Sequence, residues 1–299
     1  AVGDIRNRLM ALADKSLLGN PEIFDLFAYR LPKERSPLDL LSELESMIKG
    51  HHDLVACIPD PLRKIIRNHL QTFYERKPSK FDLRGASIGN LVLTSGYLEH
   101  RHHLDPVIFL FSKMVQVLGI VRPVISKDYH LAARMADGSV VVGQHLLTGK
   151  ETGPIDQSID AVWMTKSLDS EEPVKAAIRT KVQDLISQAE LICYPIGSFF
   201  SSVLANLLPS GIGAAVSANR CPKVFVPNTL PDPELFGKTL SDQVEMLLAY
   251  LMADTSGQGR ASDFLEYVLV DSDRGEYPGG LDVDGLEKLG VKVVDCDLA

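Results

Sequence analysis

The chain has 299 residues, 45% apolar and 23% charged, with 31 basic against 39 acidic side chains and a net charge of −8. These globular proportions exclude a disordered chain, and the acidic balance argues against a nucleic-acid binder, which needs a basic face. No apolar run approaches the ~18 residues that span a bilayer, so no membrane association is expected.

Along the chain, Asp4 is read as the cap of a helix carrying Leu9, Met10 and Leu12 to about Asp14. Pro21 opens a second helix to Tyr29. Ser36 and Pro37 open a third, with Leu38, Leu41, Leu44 and Ile48 on one face and Gly50 as its stop. A fourth runs from Pro61 past Leu62, Ile65, Ile66 and Leu70 to Tyr74, and two more span Ile88–Leu98 and Pro106–Leu118. At Gly119 the texture changes. Ile120–Ile125, Tyr129–Met135, Val140–Val142 and Ala161–Met164 read as strands, with Asp137-Gly138 as a turn. Helices at Val174–Ala189, from Ser198 and at Ser241–Met252 then alternate with strands at Leu191–Tyr194, Lys223–Val226, Tyr267–Val270 and Val291–Val294. That alternation, with continuous apolar strands, predicts an α/β fold with a mostly parallel sheet covered on both faces. The chain opens on Ala1 with no signal-like segment after it, as expected of a trimmed or processed front. Cys57, Cys193, Cys221 and Cys296 lack CxxC spacing, which predicts buried, reduced thiols in a cytoplasmic protein rather than disulfides or zinc.

In such a sheet ligands bind beyond the strand carboxyl ends. Strand Leu191–Tyr194 leads into Gly197, then Ser198, Ser201 and Ser202 at a helix start, where free amides and the helix dipole suit an anion; an ordinary serine cap fits equally well. Arg84-Gly-Ala-Ser-Ile-Gly-Asn90 offers backbone approach at its glycines and polar contacts from Ser87 and Asn90, although close helix packing also explains the glycines. Gly3-Asp4-Ile5-Arg6-Asn7 reads by itself as a solvated helix end. His100-Arg101-His102-His103 has only His100 and His103 on one helical face, so a polar helix end is the better reading than a metal site. His51 and His52 follow a helix stop and are expected to face water. No GxSxG, Walker or dinucleotide signature occurs.

Taken in order, these segments resemble the 2-phospho-L-lactate transferase and gluconeogenesis-factor (CofD/YvcK-like) family. Gly3-Asp4-Ile5-Arg6-Asn7 resembles its GDIRN helix, and Ser87-x-Gly89-Asn90-Leu91 its SxGNL helix start. Gly197-Ser198-Phe-Phe-Ser201-Ser202 with Asn206-Leu-Leu and Gly211-Ile212 resembles its GSLYTS…NLL…GI segment. Lys223–Val226 with Asn228, then Thr239 and Asp242, matches the following strand and helix entry, and Leu131–Gly143 its hairpin. There are departures. The family's opening strand, glycine-rich loop and Asp-Gly-Gly-Ser-Ser stretch are not in this chain, Ala86 stands where many relatives carry His, and Ala205 where many carry Pro.

The resemblance implies a Rossmann-like three-layer α/β/α fold over residues 1–299 as a single domain. Residues 32–80 form an extra helical insertion, either a cap or a homodimer contact. It implies a cleft for a nucleotide, a nucleotide sugar of the UDP-sugar type or a GDP-linked small molecule. The expected ligand contacts are Asp4, Arg6, Asn7, Ser87, Gly89, Asn90, Gly197, Ser198, Ser201, Ser202, Asn206 and Asn228. Two functions follow. One is a regulatory binding protein. The other is a transferase moving a phospholactyl or phosphoenolpyruvyl group from a GDP-linked donor to an alcohol, using Mg2+ with Asp4 as the candidate ligand. No catalytic residue is assigned.

Overall fold

Capping sets where the third helix starts and stops in the computed structural model, which describes residues 2–16, 19–147 and 155–298. Helices α1 (Val2–Ala11) and α2 (Pro21–Ala28) lead to α3 (Pro37–Lys49). The Ser36 hydroxyl accepts from the Asp39 amide at 3.2 Å, Pro37 fills the first turn, and Gly50 ends α3 at φ +80°, the left-handed region that glycine enters without penalty. α4 (Asp53–Ala56), α5 (Leu62–Arg76), α6 (Ile88–Glu99) and α7 (Leu104–Met114) follow. The chain divides into two compact units at Ser126/Lys127, each described here by itself.

The first unit is all helical among its described residues. Its core joins Leu9, Leu26, Phe27, Leu40, Leu44, Met47, Ile66, Leu70, Phe73, Val92 and Phe111, with the rings of Phe27 and Phe111 4.3 Å apart. Helices α3 and α5 carry much of this core, so the segment 32–80 is woven into the unit. The burial that called for a cap or a dimer contact is met inside it. The α3 stripe is also turned from the expected one: Leu40, Leu44 and Met47 are buried, whereas Leu38 is 78% exposed. Gly96 brings α6 and α7 together, since a Cβ there would lie 2.2 Å from Val107 Cγ2. His100, Arg101 and His102 form the frayed end of α6, with His102 stacked on Tyr97, as the polar reading expected. His52 departs from its reading. Its ring accepts the Leu54 amide at the start of α4 and faces the half-buried Glu43, which also takes Tyr29 Oη at 2.6 Å and Arg35 at 2.8 Å.

The second unit contains two sheets. Strands β1 (His130–Met135) and β2 (Val140–Val142) form a hairpin about Asp137-Gly138, with Gly138 at φ +86°. After α8 (Gln144–Leu147), β3 (Ile159–Thr165) pairs antiparallel with β1, giving the order β2-β1-β3. Helix α9 is confined to Thr180–Ser187; Val174 instead bridges to Met164, which shortens the expected helix from its front. The expected strand at Ile120–Ile125 does not form, and Pro123 within it has no N–H to give a ladder.

Then comes the parallel sheet. β4 (Ile192–Tyr194), β5 (Lys223–Phe225), β6 (Tyr267–Val270) and β7 (Lys292–Asp295) lie in the order β4-β5-β6-β7, all parallel. Between β4 and β5 the chain makes a π-helical turn (Phe199–Val203), a 3-10 turn (Leu204–Asn206) and α10 (Ile212–Ala218). Between β5 and β6 it makes a 3-10 turn (Pro233–Leu235), α11 (Leu240–Ala253) and α12 (Ala261–Phe264), and α13 (Val283–Lys288) precedes β7. A reciprocal Thr239–Asp242 capping box starts α11, whose Leu240, Val244, Leu247 and Leu251 are buried. The expected mixed α/β architecture with a parallel sheet is therefore present. The four cysteines are free but not buried: Cys57 and Cys193 are exposed and the other two intermediate.

Candidate functional site

The first unit brings its two motifs onto one another. Arg6, from α1, donates from Nη1 to Ser87 Oγ at 2.9 Å and from Nη2 to Asn7 Oδ1 at 2.5 Å. The approach depends on Gly89: a Cβ there would meet the Phe27 carbonyl oxygen at 2.8 Å and Arg6 Cδ at 3.0 Å. Gly3 lies next to Asn90, whose Nδ2 would sit at an ordinary contact distance of 3.9 Å from a Cβ at that position. Arg6, Asn7, Ser87, Gly89 and Asn90 thus form one cluster, with Asp4 half-buried on the same helix. Burial, and next the neighbouring Arg30, hold the Arg6 guanidinium below its ordinary pKa. Arg6 Nε and Asn90 Oδ1 are buried without a partner among the described residues. Asp4 opens no carboxylate cluster. Among the described residues no three His, Cys, Asp or Glu side chains gather to hold a metal ion.

In the second unit the loop after β4 is built differently from the expectation. Gly197 donates its amide to Asn228 Oδ1 at 3.0 Å, and Asn228 Nδ2 returns a bond to the Gly197 carbonyl at 2.9 Å. The amides that follow are not free for an anion. Phe199 donates to Asp232 Oδ2 at 2.8 Å, and Phe200 and Ser201 donate to Glu234 Oε2 at 2.9 and 2.8 Å. The Ser201 hydroxyl donates to Glu234 Oε1. Two of the protein's own carboxylates therefore sit where a phosphate was expected, and the helix expected from Ser198 is only a π turn and a 3-10 turn, with little dipole to offer. Ser201 is buried against Glu234 rather than presented outward, and Asn206 is spent on the Ser202 carbonyl at 2.7 Å. Ser198 and Ser202 stay partly accessible.

Glu234 is 1% exposed. Burial raises its pKa most, the Ser201 and Phe200 donors pull it back, and Asp232 adds repulsion. Asp254 plays a similar part at α10, accepting from the Gly211 amide at 2.6 Å and the Ala214 amide at 3.2 Å. None of these acids was singled out from the sequence. They lie more than thirty residues from their partners, though the Asp232-Pro233 pair does carry the signature of a helix cap followed by Pro. The loops at the sheet's carboxyl end are tied in sequence. Asn228 joins the β4 and β5 loops, the Glu276 amide donates to the Thr229 carbonyl at 2.9 Å, and Ser272 bonds the Asp295 carboxylate. A cavity of about 350 Å³ opens between α9 and α10, lined by Ile178, Gln183, Ser187, Ser210, Gly211 and Asn219; no expected ligand residue lines it.

These features define an α/β protein made of a helical unit and a unit that contains a parallel sheet, with a polar motif pair in the one and a carboxylate-braced strand-end loop in the other. The family model described as 2-phospho-L-lactate transferase CofD matches residues 1–299, and the chain belongs to that family. Similar curated proteins include the gluconeogenesis factor of Bacillus subtilis, 29% identical over 231 residues, covering 71% of this chain and 64% of that one. The putative gluconeogenesis factor of Thermotoga maritima is 26% identical over 174 residues, 58% of this chain and 51% of its own. The chain thus spans between half and two thirds of these relatives. A crystal structure of a UPF0052-family protein from Bacillus halodurans shares the fold, with a TM-score of 0.64 at 21% identity over 98% of this chain and 75% of that one.

Proposed function

We propose that this chain binds a nucleotide or a nucleotide sugar of the UDP-sugar type and acts as a cytoplasmic regulatory factor. One observation carries the reading: Arg6-Asn7 and Ser87–Asn90 meet on one face with Arg6 Nε and Asn90 Oδ1 buried and unpartnered. Buried polar atoms are almost always hydrogen-bonded, and a polar ligand supplies what the protein here withholds. The relatives carry the name gluconeogenesis factor, which names no reaction. The description of the family model supports the second reading, a transferase of phospholactyl or phosphoenolpyruvyl groups from a GDP-linked donor.

Thermal melts with UDP, UDP-hexoses, GDP and GTP test the first reading. A ligand at a hundredfold its Kd stabilises by about 2.7 kcal/mol. No shift with any nucleotide at millimolar concentration refutes it. Phosphorus NMR of a GDP-linked donor with an alcohol acceptor, with and without magnesium, tests the second; release of GDP would replace the regulatory reading by the enzymatic one.

A further inference from the structure

Resting on the nucleotide reading above, we infer that Arg30 and Lys33, with Arg6 behind them, form a phosphate-binding edge of the first unit, one that takes a diphosphate group. The placement is fixed by backbone. The Ile88 amide donates to the Tyr29 carbonyl at 3.0 Å, the Leu31 amide to the Ala86 carbonyl at 3.0 Å, and the Gly85 amide to the Leu31 carbonyl at 2.9 Å. This zips 29–31 against 85–88 and sets Arg30 opposite Ser87. Arg30 Nη1 then donates to the Gly85 carbonyl at 3.0 Å. The Lys33 stem crosses Gly85, where a Cβ would meet Lys33 Cε at 3.1 Å and where φ is +70°.

The charge pattern is what points to an anion. Neighbouring cations are already matched, Arg35 with Glu43 and Arg84 with Asp82, both ion pairs shorter than 3 Å. Arg6, Arg30 and Lys33 have no carboxylate within ion-pair distance among the described residues. Arg6 and Arg30 are close enough for Arg30 to disfavour the Arg6 charge. A chain of net charge −8 has acids to spare, yet it collects three cations around one turn and leaves them uncompensated. The start of α6, which lacks a side-chain cap, adds its positive end to the same turn. Two phosphate groups match three cations in charge, and the guanidinium fork suits phosphate oxygens. The uncharged Asn7 and Asn90 amides lie beside the cluster, suited to the polar edges of the rest of the ligand.

Calorimetric titration with inorganic pyrophosphate and with UDP tests this on wild type, Arg30→Gln/Lys33→Gln, Lys33→Gln alone and Arg84→Gln. Arg30 and Lys33 are exposed, and Lys33 makes no hydrogen bond among the described residues, so the single variant retains the fold. The double variant is expected to lose on the order of tenfold in affinity for both probes, Lys33→Gln a few-fold, and Arg84→Gln little; the losses shrink at high salt. If UDP binds wild type and double variant equally, the phosphate edge is wrong and the nucleotide reading stands. If pyrophosphate binds and is lost in the double variant while no nucleotide binds, the edge stands and the nucleotide reading falls. If wild type binds neither probe, the phosphate edge is overturned, and the nucleotide reading falls as well only where the melts show no shift with any nucleotide.

Discussion

Removing the Glu234 carboxyl tests whether the strand-end loop of the second unit is held by the protein's own acids. Glu234→Ala strands the amides of Phe200 and Ser201 and the Ser201 hydroxyl in a place that is 1% exposed at Glu234. At about 1–3 kcal/mol for each of these three buried unpaired groups, the expected loss is roughly 3–9 kcal/mol. Glu234→Gln keeps the volume and one oxygen able to accept from both amides, while the Ser201 hydroxyl turns to accept from the new NH2, so its cost is about 1 kcal/mol. The two variants also differ in pH dependence. Burial raises the Glu234 pKa, so the folded chain holds that proton more tightly than the unfolded one. The stability this contributes is full below the ordinary glutamate range and is lost as pH rises through the raised value. Wild type should therefore lose ground against Glu234→Gln as pH rises from the ordinary glutamate range through the raised value. Urea unfolding followed by Trp163 measures it, since the chain's one tryptophan lies in β3 of the same unit. Parallel pH curves for wild type and Glu234→Gln, or a loss under about 1 kcal/mol for Glu234→Ala, would refute the reasoning.

Other substitutions separate core from surface. Leu44→Ala should cost about 2–5 kcal/mol in chemical denaturation, whereas Leu38→Ala on the same helix should stay within about 0.5 kcal/mol. Deleting Ser36–Lys77 should abolish the cooperative melt of the first unit, because Leu40, Leu44, Ile66 and Leu70 are part of its core; a folded remnant by circular dichroism would restore the view of a separable insertion. Gly89→Ala should destabilise by about 1–3 kcal/mol and weaken nucleotide binding, since the new methyl pushes on the Phe27 carbonyl and Arg6; an unchanged melting temperature would contradict the packing. Buried His69 has its pKa lowered by burial and His100 against the pull of Glu99, so it favours the neutral ring. Its stabilisation is present above about pH 6.5 and lost as pH falls through the lowered value, and a melt of His69→Gln should show a flatter acid limb than wild type.

Local chemistry made much of this legible. Ser36, Pro37 and Gly50 mark both ends of α3, and Asp137-Gly138 marks the hairpin, because caps and turns are set by the residues that make them. Which α3 face is buried was not legible, since leucines at 38, 40, 41 and 44 fit two stripes and the packing of α5 against α3 chose between them. The motif pair of the first unit was found through its order along the chain, and Gly89 turned out to serve both readings, close packing and access to Arg6. The strand-end loop misled for a physical reason. A glycine-serine turn after a strand advertises free amides, but whether a ligand or a distant carboxylate receives them is decided by residues such as Asp232 and Glu234 that no local pattern connects to it.

The lacing of the carboxyl-end loops has a further consequence. From Gly197 through Asn228, Thr229 and Glu276, with Ser272 tied to Asp295, each loop is pinned to another part of this rim by main-chain or amide contacts. Such a rim has already lost its conformational freedom during folding, so a molecule docking there would spend little of its affinity on ordering backbone. The loop would be stiff, its amides exchanging hydrogen together and slowly. A variant that loosened one tie, such as Asn228→Ala, would slacken more than one loop and raise the entropy lost on contact.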